Sequence, residues 1–418
     1  MADHCFQFLW CDLSDIAQID LVMQTLLCDI ERLLKYFLKF CTKVYDKGNE
    51  NDMKKAGKSR KKKIILILAS VILCAALVLG GLMIYGNAQM GKIPGLTFMD
   101  ALNYTTQGKP DARITVGIIQ DGQASFTVYG ENGQILPEEN HVYEIGSLTK
   151  TITASMISRA VMDGRIRLDD TIDAHLPLPE GKNYPTITEL LTHTSGYSAY
   201  YFETPMIGNF FAGRNSFNGI SRDMVLSKAK ELDMNRESYG FTYSNFGYAV
   251  LGLVLEAVYD QDYTVLLNQY VQEDLGMTAT KISEQDGDLG NYWDWQEKDA
   301  YLSAGAVTSN IEDMLRYAQM QLDEDSPFVQ CHQSLKVINA SSESYRMMGI
   351  HMDEIGMGWI IDRENGIIWH NGGTGHYNSY LGFSPETETA VVILSNLSPN
   401  DRIPATVLGI KLLKELKQ

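Results

Sequence analysis

Cysteine is nearly missing from most of this chain. Five of its six cysteines fall within the first 74 residues, and only Cys331 stands beyond them. The part after residue 74 can therefore close no internal disulfide, and its fold must rest on burial. Basic charge is also scarce there. Residues 1–63 hold 12 Lys/Arg against 9 Asp/Glu, whereas the remainder holds 23 against 43. A surface that acidic argues against nucleic acid as a partner, although it says nothing about the sign of charge inside a cleft. No His/Glu or Cys/His cluster has metal-ligand spacing, and neither a metal nor another cofactor is expected. Internal repeats and low-complexity tracts are absent too.

Apolar residues, by contrast, make up 45% of the 418 residues, enough to bury a full core without disulfides. One apolar run stands apart. Ile64 to Tyr85 reads IILILASVILCAALVLGGLMIY, 22 residues without a charge. That length crosses a bilayer as a helix. The preceding KKAGKSRKKK, with seven Lys/Arg in ten residues, would stay in the cytoplasm and place everything after Tyr85 outside. The expectation is a single-pass plasma-membrane protein with one N-terminal transmembrane helix. GNA at 86–88 is a passable cleavage site, so a secreted product cut near Ala88 is the alternative.

The chain then divides into five stretches. Residues 1–52 carry apolar positions at helical spacing, from Ile19 to Cys41, and read either as a cytoplasmic amphipathic segment or as sequence upstream of a start at Met53. Residues 53–63 are the basic flank, 64–86 the anchor or signal, 87–110 a linker with a short helix near Thr97 to Tyr104, and 111–418 the extracytoplasmic domain.

Within that domain, strand patterns lie at the ends and helical ones in the middle. ARITVGIIQDGQASFTVYG at 112–130 alternates around Asp121-Gly122 and predicts a hairpin. Ser147 to Met162 predicts a helix, as does YAVLGLVLEAVYD at 248–260. Short β-rich runs return at 357–362, 366–370, 377–385 and 389–396, and a helix from Pro404 to Leu416 closes the chain. Strands at both ends predict an α+β fold: one antiparallel sheet built from the two ends of the domain, flanking helices, and an inserted, mainly helical region.

Three stretches carry chemistry. In YEIGSLTKTITASM, Ser147 and Lys150 stand three apart where a strand gives way to an apolar helix. A hydroxyl in a first helical turn meets unpaired N–H groups and the positive end of the dipole. A lysine one turn on, desolvated by neighbours such as Ile152, falls below its usual pKa of about 10.4 and can share the serine's proton. Ser147 as a plain N-cap with a surface lysine is the competing reading. Two other Ser-x-x-Lys matches, Ser59/Lys62 and Ser227/Lys230, lie in the basic flank and on a solvated helical face. The second stretch is Tyr243-Ser244-Asn245, before the buried-looking helix. In the third, HNGGTGHY at 370–377, His370 ends a strand, and Gly372 and Gly373 let a ligand approach the backbone.

Ser-x-x-Lys, Tyr-x-Asn and His-x-Gly, in that order and about 96 and then 127 residues apart, resemble the serine β-lactamase and penicillin-binding-protein superfamily, in its class C-like branch with D-alanyl-D-alanine carboxypeptidases and esterases. GRIRLDDTIDAHLP at 164–177, ITELLTHTSGY at 187–197, LGMT at 275–278 and LSAGAVTSNIEDMLRY at 302–317 resemble that branch too, so the likeness runs from about residue 95 to the end. It implies a β-lactamase/transpeptidase-like fold and a metal-independent serine hydrolase working through an acyl-enzyme. Ser147 would be the nucleophile, and Lys150 and Tyr243 would move its proton, with Tyr243 as phenolate or via Lys150 as the general base. Asn245 would hold a substrate amide, and the N–H groups of Ser147 and Gly373 would form the oxyanion hole. His370 stands where many relatives have lysine and is expected to be a weaker, pH-sensitive cation, which puts carboxylate recognition in question. His376 stands where relatives commonly have glycine and either narrows the cleft or points outward. His193 is expected to hold a loop. The implied substrates are cell-wall peptides, esters or β-lactams. The alternatives are a β-lactamase or carboxylesterase, and a non-catalytic sensor that binds β-lactam or peptidoglycan.

Overall fold

A computed structural model describes residues 91–234, 238–282 and 287–417. The expected anchor and the 1–52 segment lie outside these residues, and among the described residues no helix is long and apolar enough to cross a membrane. The second of the chain's two units comprises Thr97–Pro399 and Ile403–Gln418.

The second unit carries the sheets. Its strands are β1 (Ile114–Gln120), β2 (Gln123–Tyr129), β3 (Ile135–Leu136), β4 (Tyr143–Glu144), β5 (Lys281–Ile282), β6 (Val307–Ser309), β7 (Lys336–Val337), β8 (Glu354–Ile355), β9 (Ile360–Asp362), β10 (Ile367–Gly373), β11 (Asn378–Ser384) and β12 (Thr389–Ser395). Among the described residues they form a nine-stranded sheet in the order β3-β2-β1-β12-β11-β10-β9-β8-β7 and a three-stranded sheet in the order β4-β6-β5. All the ladders are antiparallel, and β1 pairs with β12 from Ile114↔Ser395 to Ile119↔Ala390, so the two ends of the domain do close one sheet. The Asp121-Gly122 turn sits between β1 and β2 as its sequence requires, with both residues at positive φ.

The helices that matter here are α1 (Phe98–Thr106), α2 (Thr149–Met162), α3 (Asn245–Tyr259), α4 (Leu302–Gly305), α5 (Ile311–Leu322) and α6 (Ala405–Leu416). α1, capped by Thr97 Oγ1 accepting from Asp100 N–H at 3.1 Å, packs against α6, so residues 97–110, read above as linker, fold with the sheet. Strands β11 and β12 are buried at every residue, which requires cover on both faces. The register supplies it. Gly117, Val392 and Leu381 share one face, where Ile311 and Leu315 of α5 lie over Gly117. Ile393 and Tyr380 share the other, where Gly409 of α6 lies against Tyr380.

One strand departs from expectation. β10 does not stop at His370 but runs to Gly373. Its neighbour β9 pairs only with Ile367–Trp369, leaving residues 370–373 as a bare edge on that side. Asn-Gly-Gly reads locally as a turn, yet pairing with β11 as far as Gly373↔Asn378 holds it extended.

Candidate active site

Ser147 lies on a one-turn 3₁₀ segment, Gly146–Leu148, between β4 and α2. α2 begins only at Thr149, and no side-chain cap is formed at its start, so Ser147 is not the helix N-cap. Gly146 has φ +51°, and a Cβ there would fall 2.6 Å from the Gly373 nitrogen. Only glycine lets the serine turn press against the bare edge of β10. Gly372 meets the same turn from the other side. A Cβ on it would fall 1.9 Å from the Ile145 carbonyl oxygen, which also accepts from Ser379 Oγ at 2.7 Å. The close partner of Gly372 is therefore the chain's own backbone rather than a ligand, contrary to the expectation above.

Lys150 is fully buried. Its Nζ donates to Asn245 Oδ1 at 2.7 Å and to the Ala304 carbonyl at 2.7 Å, and it lies 3.0 Å from Ser147 Oγ. Burial drives its pKa well below the ordinary lysine value. Two of the three contacts are to oxygens that can only accept. A neutral amine therefore turns both its hydrogens to them and its lone pair to the serine hydroxyl.

The second motif reaches the same place through α3. Ser244 caps that helix, its Oγ accepting from Gly247 N–H at 2.9 Å and donating to the Ser198 carbonyl at 2.7 Å. The preceding residue, Tyr243, is thereby set over Lys150, whose Nζ lies 4.9 Å from the ring centroid. Burial raises the Tyr243 pKa, and a hydrogen bond with Ser147 pulls the other way. Burial thus favours the phenol over the phenolate considered above. His193 holds this loop. Its carbonyl accepts from Thr242 N–H at 2.8 Å, its Nδ1 accepts from Ser244 N–H at 3.1 Å, and its ring lies 4.5 Å from that of Tyr243.

His370 is buried, and its Nδ1–H donates to the Asn371 carbonyl at 2.6 Å. Burial, above all, lowers its pKa to about 3. The expected pH-sensitive cation is thus a neutral imidazole. A carbonyl holds the proton on Nδ1, so Nε2 presents a lone pair. His376 is exposed.

Serine, lysine, tyrosine, asparagine and the glycine edge thus meet at one place. Two further participants had no signal in the residue types. Ala304 contributes only a backbone carbonyl from α4. Glu144 is buried behind the serine turn, its carboxyl accepting from Trp293 N–H at 2.6 Å and from Thr374 Oγ1 at 2.5 Å.

A large antiparallel sheet flanked by helices, with this serine turn docked on a strand edge, is the architecture of the β-lactamase/transpeptidase-like superfamily. The chain belongs to the beta-lactamase family, whose model matches residues 91–411. It is 25% identical over 290 residues to Protein flp of Staphylococcus aureus (strain MRSA252), covering 63% of this chain and 54% of that protein. The chain thus spans about half the length of this curated relative. It is 26% identical over 321 residues to the D-alanyl-D-alanine-carboxypeptidase/endopeptidase AmpH of Escherichia coli (strain K12), covering 70% of this chain and 81% of that one. In fold it is similar to the beta-lactamase/D-alanine carboxypeptidase from Yersinia pestis complexed with citrate, with a TM-score of 0.60 at 19% identity, covering 79% of this chain and 99% of that one.

Proposed function

We propose that this protein is a serine hydrolase working through an acyl-enzyme, with Ser147 as nucleophile and Lys150 as the base that receives its proton. The observation that carries the proposal is the Lys150 amine, buried and held by two acceptor oxygens with its remaining position 3.0 Å from Ser147 Oγ. In the first step Ser147 Oγ bonds to the substrate carbonyl carbon and its proton passes to Lys150 Nζ. The carbonyl oxygen, now negative, is met by the N–H groups of Ser147 and Gly373. The leaving group departs with the proton, relayed through the Tyr243 hydroxyl. Water then reverses the sequence and frees the acid. Asn245, its Oδ1 engaged by Lys150, has its amide N–H₂ to offer a substrate carbonyl.

The substrates we propose are peptide-like or ester bonds, foremost those of cell-wall peptides and their fragments. AmpH is by name a carboxypeptidase and endopeptidase on D-alanyl-D-alanine, which supports that class. We further propose that the apolar run at 64–85 anchors the protein and leaves the hydrolase domain outside the membrane.

A second reading rests on His370. A neutral imidazole cannot pair with a substrate carboxylate as a lysine would. Esters, amides and internal peptide bonds, which end in no carboxylate there, suit this site better than free D-Ala-D-Ala termini.

Labelling with a fluorescent penicillin and with a fluorophosphonate tests the central proposal. The wild-type chain should take up at least one probe covalently at Ser147, and Ser147→Ala neither. A wild-type chain inert to both would sink it. Lys150→Ala should lower the labelling rate by about 10³-fold, as expected when a nucleophile loses its base.

A further inference from the structure

We infer that Glu144 is a positioning residue that ties together the two backbone segments carrying the oxyanion donors. The inference rests on the function proposed above and adds a group to it.

Those donors come from parts of the chain far apart in sequence. Ser147 follows β4, and Gly373 ends β10, 226 residues later. They are useful only if both N–H groups point at one oxygen, and a displacement of about 1 Å can cost on the order of a hundredfold in rate. Close packing sets a lower limit on their separation, because Gly146 and Gly372 already touch the opposing backbone. Packing alone does not stop the edge from moving away, and the Ser379 Oγ bond to the Ile145 carbonyl reaches the serine segment from β11 rather than from the end of β10. The last residues of β10 have no β9 partner on that side, and the next residue, Thr374, turns back through an N–H to the Tyr377 carbonyl at 2.9 Å.

Glu144 supplies the tie. It sits three residues before Ser147, its backbone fixed by the β4–β6 ladder opposite Thr308. One carboxyl oxygen accepts from Thr374 Oγ1 at 2.5 Å, directly after Gly373. The other accepts from the Trp293 N–H at 2.6 Å, on a loop that also meets this region where Tyr292 donates to the Val142 carbonyl at 2.7 Å. One side chain thus holds the serine strand, the oxyanion strand and a third segment together. The position is a costly one for a carboxyl, since burial pushes its pKa up to about 7. Carboxyls with pKa values displaced in this way gather at functional sites.

The test uses the full chain and compares wild type, Glu144→Ala, Glu144→Gln, Thr374→Val and Ser147→Ala. The measurements are kcat and KM for a p-nitrophenyl ester and Ki for a phenylboronic acid, whose tetrahedral serine adduct places an oxygen in the hole. Glu144→Ala should lower kcat about 10- to 100-fold with KM within about twofold, and should raise the boronate Ki by a similar factor, the range seen when an oxyanion donor is impaired. Glu144→Gln keeps an oxygen for Trp293 and an N–H for Thr374 Oγ1, and should recover to within about threefold of wild type. Thr374→Val should move kcat and Ki in the same direction as Glu144→Ala. A folded Glu144→Ala with wild-type kcat and Ki, or with its whole loss in KM, overturns the inference. If Glu144→Ala does not fold, an unchanged boronate Ki in Thr374→Val overturns it equally. A wild type no more active than Ser147→Ala removes the proposed function itself, and the inference falls with it.

Discussion

The charge at His370 is decided by burial. The bond from Nδ1–H to the Asn371 carbonyl favours the cation, but taking the ring out of water outweighs it, and the pKa falls to about 3. Between pH 5 and 8 its charge does not change. The ratio of turnover on an amidated D-Ala-D-Ala peptide to that on its free-acid twin should therefore stay flat over that range, since the peptide carboxyl is ionised throughout. His370→Lys should shift the ratio toward the free acid by about tenfold, the worth of one added charge-assisted contact. A wild-type ratio that swings around pH 6 to 7 would mean that the ring titrates in the working range. At this scale the sequence was legible wherever chemistry belongs to a side chain. Ser147, Lys150, Tyr243 and Asn245 were legible through the family resemblance of their ordered motifs, and the structure brings the four together. Ala304 was not, because any residue there offers the same carbonyl. The state of His370 was hidden as well, for it depends on how deeply the fold buries the ring.

Elements were legible in proportion to their regularity. The hairpin at 112–130 and the apolar helix α3 followed from period alone. The reach of β10 did not, since Asn371-Gly372-Gly373 has poor strand propensity and is held by β11 on one edge and the serine turn on the other. That docking predicts a contrast between two neighbouring glycines. In Gly372→Ala the new Cβ would lie 1.9 Å from the Ile145 oxygen and 2.5 Å from Ser379 Oγ, which are hydrogen-bonded to each other at 2.7 Å. In Gly373→Ala it would meet only the Pro399 ring, at 3.1 Å. Gly372→Ala should cost about 3 kcal/mol or more, at the top of the overpacking range, and Gly373→Ala about 1 kcal/mol or less. Urea unfolding of the two variants measures this directly. Equal midpoints would mean that the serine turn is not seated on the strand edge.

At the scale of the whole molecule, charge and hydropathy divide the chain in one consistent direction. A basic flank precedes an uncharged run of 22 residues, and an acidic domain follows. As a helix the run would be about 33 Å long, matching a hydrocarbon core of about 30 Å. Seven basic residues just before it oppose transfer of that end across the membrane, whereas acidic residues in a long domain oppose it little. A hydrolase aimed at cell-wall peptides has its substrate on the far side only, so the proposed topology and the proposed chemistry call for the same arrangement. Cells making the full chain should keep it in the membrane pellet through a carbonate wash, and protease added to spheroplasts should digest the domain while leaving the basic flank protected. Cleavage near Ala88 would instead release a soluble product beginning close to Gln89, which N-terminal mass analysis would detect. Domain resistant to external protease in intact spheroplasts, yet digested after lysis, would put the acidic part inside. The anchoring proposal and the cell-wall assignment would then fail together, while the chemistry of Ser147 and Lys150 would stand untouched.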